Sequence, residues 1–384
     1  MAYSPDSRIA PHFLRSDEGG VVSPNERHLL HLLWRHPGLA RSEVTAHTDL
    51  AQQSVYRIID RLAERGIVAK GSPKPGLGSG QPSPMLRLNP SHAYSVGVSV
   101  NADVIDICIM NFAGNVLAES SVPLRERSMT ESLELIVAKI KEQQQRHDLA
   151  EDSFFGIGFA IAGFHVGGTR FNASLPLHEW SLIELGPMLA DFLAKPVWVL
   201  NGGQAGAVAE SMFGAGRFIK HFAYISFNYG LGGGLISDGE LLAGGNGNAA
   251  GFTQMYPEEE VPHRPALQSL LEQLNRNGVD VPSITYMRKN FDPKWRGVSE
   301  WLDDVTPAYN RLVNAIWAVF DPQAIVFGGQ VPPGLAQLLS ARTDIFGRPR
   351  YGVSRPVPKL IISEISNDAA AMGAAVTPFK STYY

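Results

Sequence analysis

Apolar strand-like runs and helical stretches alternate in two rounds along this chain, and no other feature limits its fold so strongly. The first round begins with three alternating runs at 94–100, 104–111 and 116–122. They are separated by the turn-like Asn101-Ala102-Asp103 and Ala113-Gly114-Asn115. Runs this close together predict an antiparallel meander. Ser128-Met129-Thr130-Glu131 opens a helix to about 147 with a capping box. A nearly continuous apolar strand follows at 155–162, then a helix near 182–193, a strand at 197–200 and a helix at 204–213. The second round has strands at 222–227 and 234–237, helices around 266–274 and 299–320, and a strand at 324–327. A helix at 334–339, a strand at 360–364 and a small-residue helix at 369–376 complete it. Two successive lobes, each of strands followed by helices, predict an α/β fold built by duplication with a cleft between the lobes.

The two rounds leave ninety residues unexplained at the front, and 384 residues suit two or three domains. With 44% hydrophobic and 18% charged residues the chain has ample core material and no compositional sign of disorder. The single cysteine, Cys108, excludes a disulfide framework and any multi-cysteine metal site. It fits a reducing cytoplasm, and its apolar strand makes it inert core. No run of 18 apolar residues exists, and the polar residues 1–10 lack the core of a signal peptide, so no membrane partner is expected.

Residues 1–22 lack apolar periodicity and read as a loose arm. Ser23-Pro24-Asn25-Glu26 then starts a helix: Ser23 caps, Pro24 suits the first helical position, and Glu26 completes a capping box. Leu29, Leu30, Leu32, Leu33 and Trp34 supply its buried face, and Pro37-Gly38 ends it. A short helix over 41–47 and a third over 52–65, stopped by Gly66, complete a helix-turn-helix. Val55, Ile58, Ile59 and Leu62 form the apolar stripe of the third helix, while Arg57, Arg61 and Arg65 recur every four residues on another face. Strands at 67–70 and 85–88 flank a Gly-, Ser- and Pro-rich loop containing Lys74, which makes a winged variant.

In such a module the N-terminal end of the third helix enters the major groove of double-stranded operator DNA. Gln52, Gln53, Ser54, Tyr56, Arg57, Arg61 and the wing's Lys74 are therefore the candidate DNA contacts. The formal charge of −4 argues against a chain devoted to nucleic acid, but its distribution is uneven. The first ninety residues carry eleven Lys and Arg against eight Asp and Glu, and the remainder twenty-two against twenty-nine. Two tempting motifs are set aside. Gly76-Leu77-Gly78-Ser79-Gly80 lacks the strand and helix of a dinucleotide site, and His28 and His31 lack further metal ligands nearby.

Several segments, taken in order, resemble one family. They are Gly156-Ile157-Gly158-Phe159-Ala160-Ile161-Ala162-Gly163, Pro196-Val197-Trp198-Val199-Leu200-Asn201, Ala209-Glu210-Ser211-Met212-Phe213-Gly214, Gly230-Leu231-Gly232-Gly233-Gly234, Asp238-Gly239 and the glycine-rich 244–251. Asp321-Pro322-Gln323-Ala324-Ile325-Val326-Phe327-Gly328-Gly329 and Asn367-Asp368-Ala369-Ala370-Ala371-Met372-Gly373-Ala374-Ala375 extend the match. Together they resemble the ROK family of sugar kinases and transcriptional repressors. The resemblance implies an α/β fold: an N-terminal winged helix-turn-helix (23–90) followed by a two-lobed actin-like (RNase H-like) ATPase-type domain (91–384). Lobe 1 would hold about 91–200 plus a C-terminal helix at about 368–384, and lobe 2 about 201–367.

The kinase chemistry of the family does not carry over. In the kinases an aspartate follows the asparagine that corresponds to Asn201; here it is Gly202, which has no side chain to accept a proton. The first phosphate loop reads Ser-Val-Asn-Ala-Asp at 99–103, without the metal-facing aspartate and glycine. In the second, Asn228-Tyr229 precedes Gly230-Leu231-Gly232, and a tyrosine there crowds a phosphate. In the family's sugar pocket, Glu-x-Gly-His aligns with Phe252-Thr253-Gln254-Met255, and the cysteine-rich zinc loop gives way to the short acidic 256–265. No metal, no cofactor and no catalytic residue are expected.

The candidate effector contacts implied by the resemblance are Asn201, Gly202, Asn246, Asn248, Gln254, His178 and Glu179. The resulting expectation is a cytoplasmic regulator of carbohydrate-related genes, a repressor acting as a homodimer or homotetramer. A sugar or sugar derivative would be its effector. Two other readings stay open: a sugar kinase with atypical catalytic residues, and a regulator that answers to a protein partner.

Overall fold

The computed structural model describes residues 21–73, 83–124 and 127–384. Most of the N-terminal arm and the wing-loop Lys74 lie outside the described residues. Three helices, Pro24–Arg35, Arg41–Val44 and Gln52–Glu64, form a small module with an antiparallel sheet. The order of that sheet is Leu39–Ala40, Pro84–Leu88, Val68–Pro73. The capping box at its start is formed: Ser23 Oγ accepts from Glu26 N at 3.4 Å, and Glu26 Oε2 accepts from Ser23 N at 2.8 Å. The same device starts the helix Met129–Arg146 through Ser128 and Glu131. Gly66 follows the third helix with φ +68°, a conformation that a side chain would strain.

Two five-stranded sheets follow, and they share one topology. The first has the order Val197–Asn201, Phe154–Ile161, Tyr94–Val100, Val104–Asn111, Val116–Pro123. Its first three strands are mutually parallel and its last three form the antiparallel meander. The second runs Lys359–Ile362, Ala324–Gly329, Phe222–Phe227, Leu231–Ser237, Glu240–Leu241, again three parallel strands and then an antiparallel meander. In each, the last strand in sequence is followed by a helix, Gly202–Phe213 in one and Ala369–Thr382 in the other.

Those two helices pack against each other, and their small residues explain how closely. A Cβ on Gly373 would stand 1.8 Å from the Ala205 carbonyl oxygen. Gly97 and Gly158 let the same helix lie on the first sheet, since a Cβ at either would meet the carbonyl oxygens of Ala371 and Ala374 at 2.0 and 1.9 Å. The small module shares this core. Leu29, Val55 and Leu62 belong to one buried cluster with Phe112, Phe379 and Tyr383.

Some elements depart from expectation. The last helix continues to Thr382, past 376, because Phe379 and Tyr383 are fully buried and hold its end. The strand expected from 234 begins at Leu231: its glycines pair with Phe222–Phe227 while lying against Gly203 and Ala207. The helix expected near 182 starts at Leu185, because Leu182 has φ +63° and follows a 3-10 turn at Leu175–Trp180. A hairpin, Gly163–Gly167 with Arg170–Ala173, and a helix, Ile284–Asn290, have no counterpart in the sequence reading. Both are too short to declare a periodicity. Among the described residues no helix is long and apolar enough to cross a membrane.

Candidate functional site

A cavity of about 330 Å³ opens between the two lobes. One wall comes from the first lobe: Asn101–Asp103, Gly163, Phe164 and Asn172–Ser174. The other comes from Asn228–Gly232, Gly247–Gly251, Thr253, Gln254, Arg264 and Gln330, and the helix start Asn201–Gln204 forms the floor.

Four of the seven expected effector contacts meet here: Asn201, Gly202, Asn248 and Gln254. Two of those four are already engaged by the fold. The Asn201 carboxamide oxygen caps the helix through Gly203 N at 2.8 Å and Gln204 N at 3.2 Å, and its Nδ2 donates to the Gly163 carbonyl at 2.5 Å. Asn248 straps the glycine-rich loop to the opposite lobe: Oδ1 accepts from His165 N at 2.8 Å and Nδ2 donates to His165 O at 2.7 Å. Gly202 offers backbone alone, and Gln254 is exposed.

Three expectations need correction. His178 and Glu179 lie in a separate small pocket with Arg127 and Trp180, and the Glu179 carboxylate accepts from Met129 N at 2.5 Å, at the start of the neighbouring helix. They sit in the 3-10 turn outside the hairpin, which turns them from the cleft. Asn246 does not line the cavity; it is exposed, and its carbonyl bonds His165 Nδ1 at 2.9 Å.

Sequence reasoning missed Arg264. This half-buried arginine lines the cavity beside Tyr229. One Nη donates to the Val261 carbonyl at 3.3 Å, whereas Nε is shut from solvent with no partner. Burial pulls its pKa below the usual guanidinium range, partly offset by Tyr256 and Tyr229. The only hint in the sequence was a lone base ending a segment read as acidic. Asp103, also lining the cavity, accepts through Oδ2 from Thr285 N at 3.2 Å and from Thr285 Oγ1 at 3.3 Å, and its Oδ1 has no partner.

A second concave surface lies on the small module, lined by Asn25, Arg41, Gln53, Ser54, Arg57 and Arg61 among others. It faces outward because Val55, Ile58, Ile59 and Leu62 take the other side of the helix into the core. Gln52, Gln53, Arg57 and Arg61 are exposed, and Gln52 Nε2 donates to Tyr56 Oη at 3.1 Å. The three arginines are not equivalent. Arg57 forms no ion pair among the described residues, Arg61 lies 3.2 Å from Glu26 Oε1, and Arg65 turns inward to Glu26 and to the Val21 carbonyl. Tyr56 is covered by the Arg41 guanidinium, 4.2 Å above its ring, and Arg41 pairs with Asp60 at 2.6 Å.

These sites can be set beside known proteins. The chain is 22% identical to the DNA-binding transcriptional dual regulator NagC of Escherichia coli, over 91% of each. It is 24% identical to a xylose repressor of Caldicellulosiruptor bescii, over 72% of this chain and 69% of that one. In three dimensions it resembles a ROK family transcriptional regulator, a homologue of the E. coli MLC protein. The TM-score is 0.68 at 19% identity, covering 94% of this chain and 96% of the other, a likeness of fold. The model of the ROK family matches residues 95–378, which spans both duplicated sheets and the cleft, and the chain therefore belongs to the ROK family.

Proposed function

We propose that this protein is a cytoplasmic DNA-binding transcriptional repressor of carbohydrate-related genes. Residues 23–90 serve as a winged helix-turn-helix, and a catalytically inactive ROK domain over 91–384 senses a small effector. It acts on double-stranded operator DNA as a homodimer or homotetramer, since paired half-sites suit this motif. The carrying observation is the outward face of Gln52–Glu64, where Gln53, Ser54 and Arg57, which has no ion-pair partner among the described residues, line one concave surface. Glutamine and serine can bond base edges there, and arginine can reach guanine or phosphate. The names of the relatives, a xylose repressor and a DNA-binding regulator, support the same reading.

The cleft supports sensing rather than phosphoryl transfer. Gly202 stands where a kinase needs a proton acceptor, and Tyr229 borders the space beside Gly230. Coupling to DNA has a path in the fold. The helix Gly202–Phe213 starts at the cleft, extends about 18 Å, and ends with Phe213 edge-on to Trp34 at 5.6 Å. A ligand that binds one lobe arrangement better would shift the placement of the small module through that rod.

The test is retention of genomic DNA fragments by the purified full chain, followed by anisotropy on the recovered operator. Arg57→Ala should weaken specific binding by about 1–3 kcal/mol while leaving the melting point unchanged. Equal affinity for the variant removes this helix from base readout. ATP turnover that depends on a sugar and on the cleft would replace this reading with the kinase.

A further inference from the structure

Among the described residues the cleft is lined by one cation, Arg264, and one carboxylate, Asp103, and neither is paired with an opposite charge. No carboxylate pairs with Arg264 among the described residues: it gives one hydrogen bond to a backbone carbonyl, and its Nε is enclosed without an acceptor. A guanidinium has five donors, so most of its capacity is unspent in a partly desolvated place. An unpaired charge removed from water is costly, and a charge-assisted bond from a ligand would offset that cost. The acidic residues nearby do not serve. Glu260 is taken by Arg311, and Glu258 and Glu259 are exposed outside the cavity lining.

The rest of the cavity agrees with an anion. Position 202, an acid in the kinase pattern, is a glycine of the lining, and position 252, the other acid of that pattern, is a phenylalanine buried outside the lining. The twelve-residue helix Gly202–Phe213 points its positive N-terminal end at the same space. Asp103 is fixed by Thr285, and its free, buried Oδ1 is an acceptor for a hydroxyl. The carboxamides of Asn172 and Gln254, which have both donors and acceptors, also line the cavity.

We infer that the effector of this cleft is a polyhydroxylated anion, a sugar acid or sugar phosphate, whose carboxylate or phosphate is bound by Arg264. The assignment rests on the sensor reading of the cleft and narrows it from sugars in general to charged ones. Arg264 fixes the acidic group, and Asp103 takes a hydroxyl at another point of the ligand.

The experiment uses thermal melting of the full chain with inorganic phosphate titrated against chloride at constant ionic strength. A second series uses glucose, galactose and xylose beside glucuronate, galacturonate and glucose 6-phosphate. Wild type, Arg264→Lys and Arg264→Gln are compared, and melting in chloride reports whether each variant folds. Phosphate or a uronate should raise the midpoint of the wild type. The apparent affinity should fall at least about tenfold in Arg264→Gln and less in Arg264→Lys, which keeps the charge. A response to uronates without phosphates assigns a carboxylate ligand, and the reverse assigns a phosphate ester. The inference is overturned if no anion shifts the melt, if neutral sugars alone do, or if Arg264→Gln responds like wild type. Operator retention is followed in parallel. Anion binding through Arg264 that leaves retention unchanged keeps the anion site and removes the sensor role.

Discussion

Single atoms decide much of this protein. At Gly373 the space for a side chain is already occupied by the backbone of Ala205, and backbone cannot swing away as a flexible side chain can. Gly373→Ala should therefore destabilise the fold by about 1–3 kcal/mol or more, as overpacking does, read as a lower denaturation midpoint with an unchanged slope. The sequence suggested a small-residue helix here but could not say what its smallness served. Asn201 shows the opposite limit. Its family position marked it as a ligand contact, yet its carboxamide spends both ends on the helix cap and on Gly163. An asparagine before a helix reads the same in sequence whether it binds backbone or ligand.

At the scale of elements, the paired strands Val104–Asn111 and Val116–Pro123 carry a charge where burial opposes it. Burial pushes the Asp106 carboxyl up to about 7, and Asp368 adds to the shift. The hydrogen bond from Ser121 Oγ at 2.6 Å and the nearby Arg288 act against it. The folded state thus holds this proton where an unfolded aspartate, near 4, has lost it. The stability it contributes is present at low pH and is lost as pH rises from about 4 to about 7. Asp106→Asn should raise the melting temperature relative to wild type at pH 8 and bring no gain at pH 4, measured by calorimetry across that range. Elements were the most legible part of the sequence. The capping boxes at Ser23 and Ser128 and the apolar stripe of Gln52–Glu64 each set a helix by local chemistry. The hairpin Gly163–Gly167 with Arg170–Ala173 was not legible, because strands this short are stabilised by the loop strapped onto them rather than by their own pattern.

For the whole molecule, the decisive fact is that the small module is not a separate bead. Arg27 donates to the Lys380, Ser381, Thr382 and Tyr384 carbonyls at the end of the terminal helix. Trp34 packs against Phe213 and, at 5.0 Å, against Tyr384. A charge at a helix C-terminus and a shared aromatic cluster make one cooperative unit. Scanning calorimetry should show one transition for the wild type. Trp34→Ala should cost about 2 kcal/mol, less than a fully buried tryptophan would, and split off an earlier transition of the small module. A single transition at the wild-type midpoint would mean that the interface carries no stability.

What the sequence determined by itself is the alternation of elements and the duplicated plan, because apolar periodicity, caps and turn residues act over a few neighbours. It also determined the outward polar face of the third helix, since the stripe at Val55, Ile58, Ile59 and Leu62 leaves it no other side. The tertiary structure alone decided which polar groups meet. His178 and Glu179 left the cleft because a 3-10 turn faces them elsewhere, Arg65 turned inward to Glu26, and Arg264 arrived beside Tyr229 from a segment with no pattern of its own. Such pairings join residues far apart in the chain, and their cost or gain depends on burial and on what fills the remaining valences, neither of which a local pattern records.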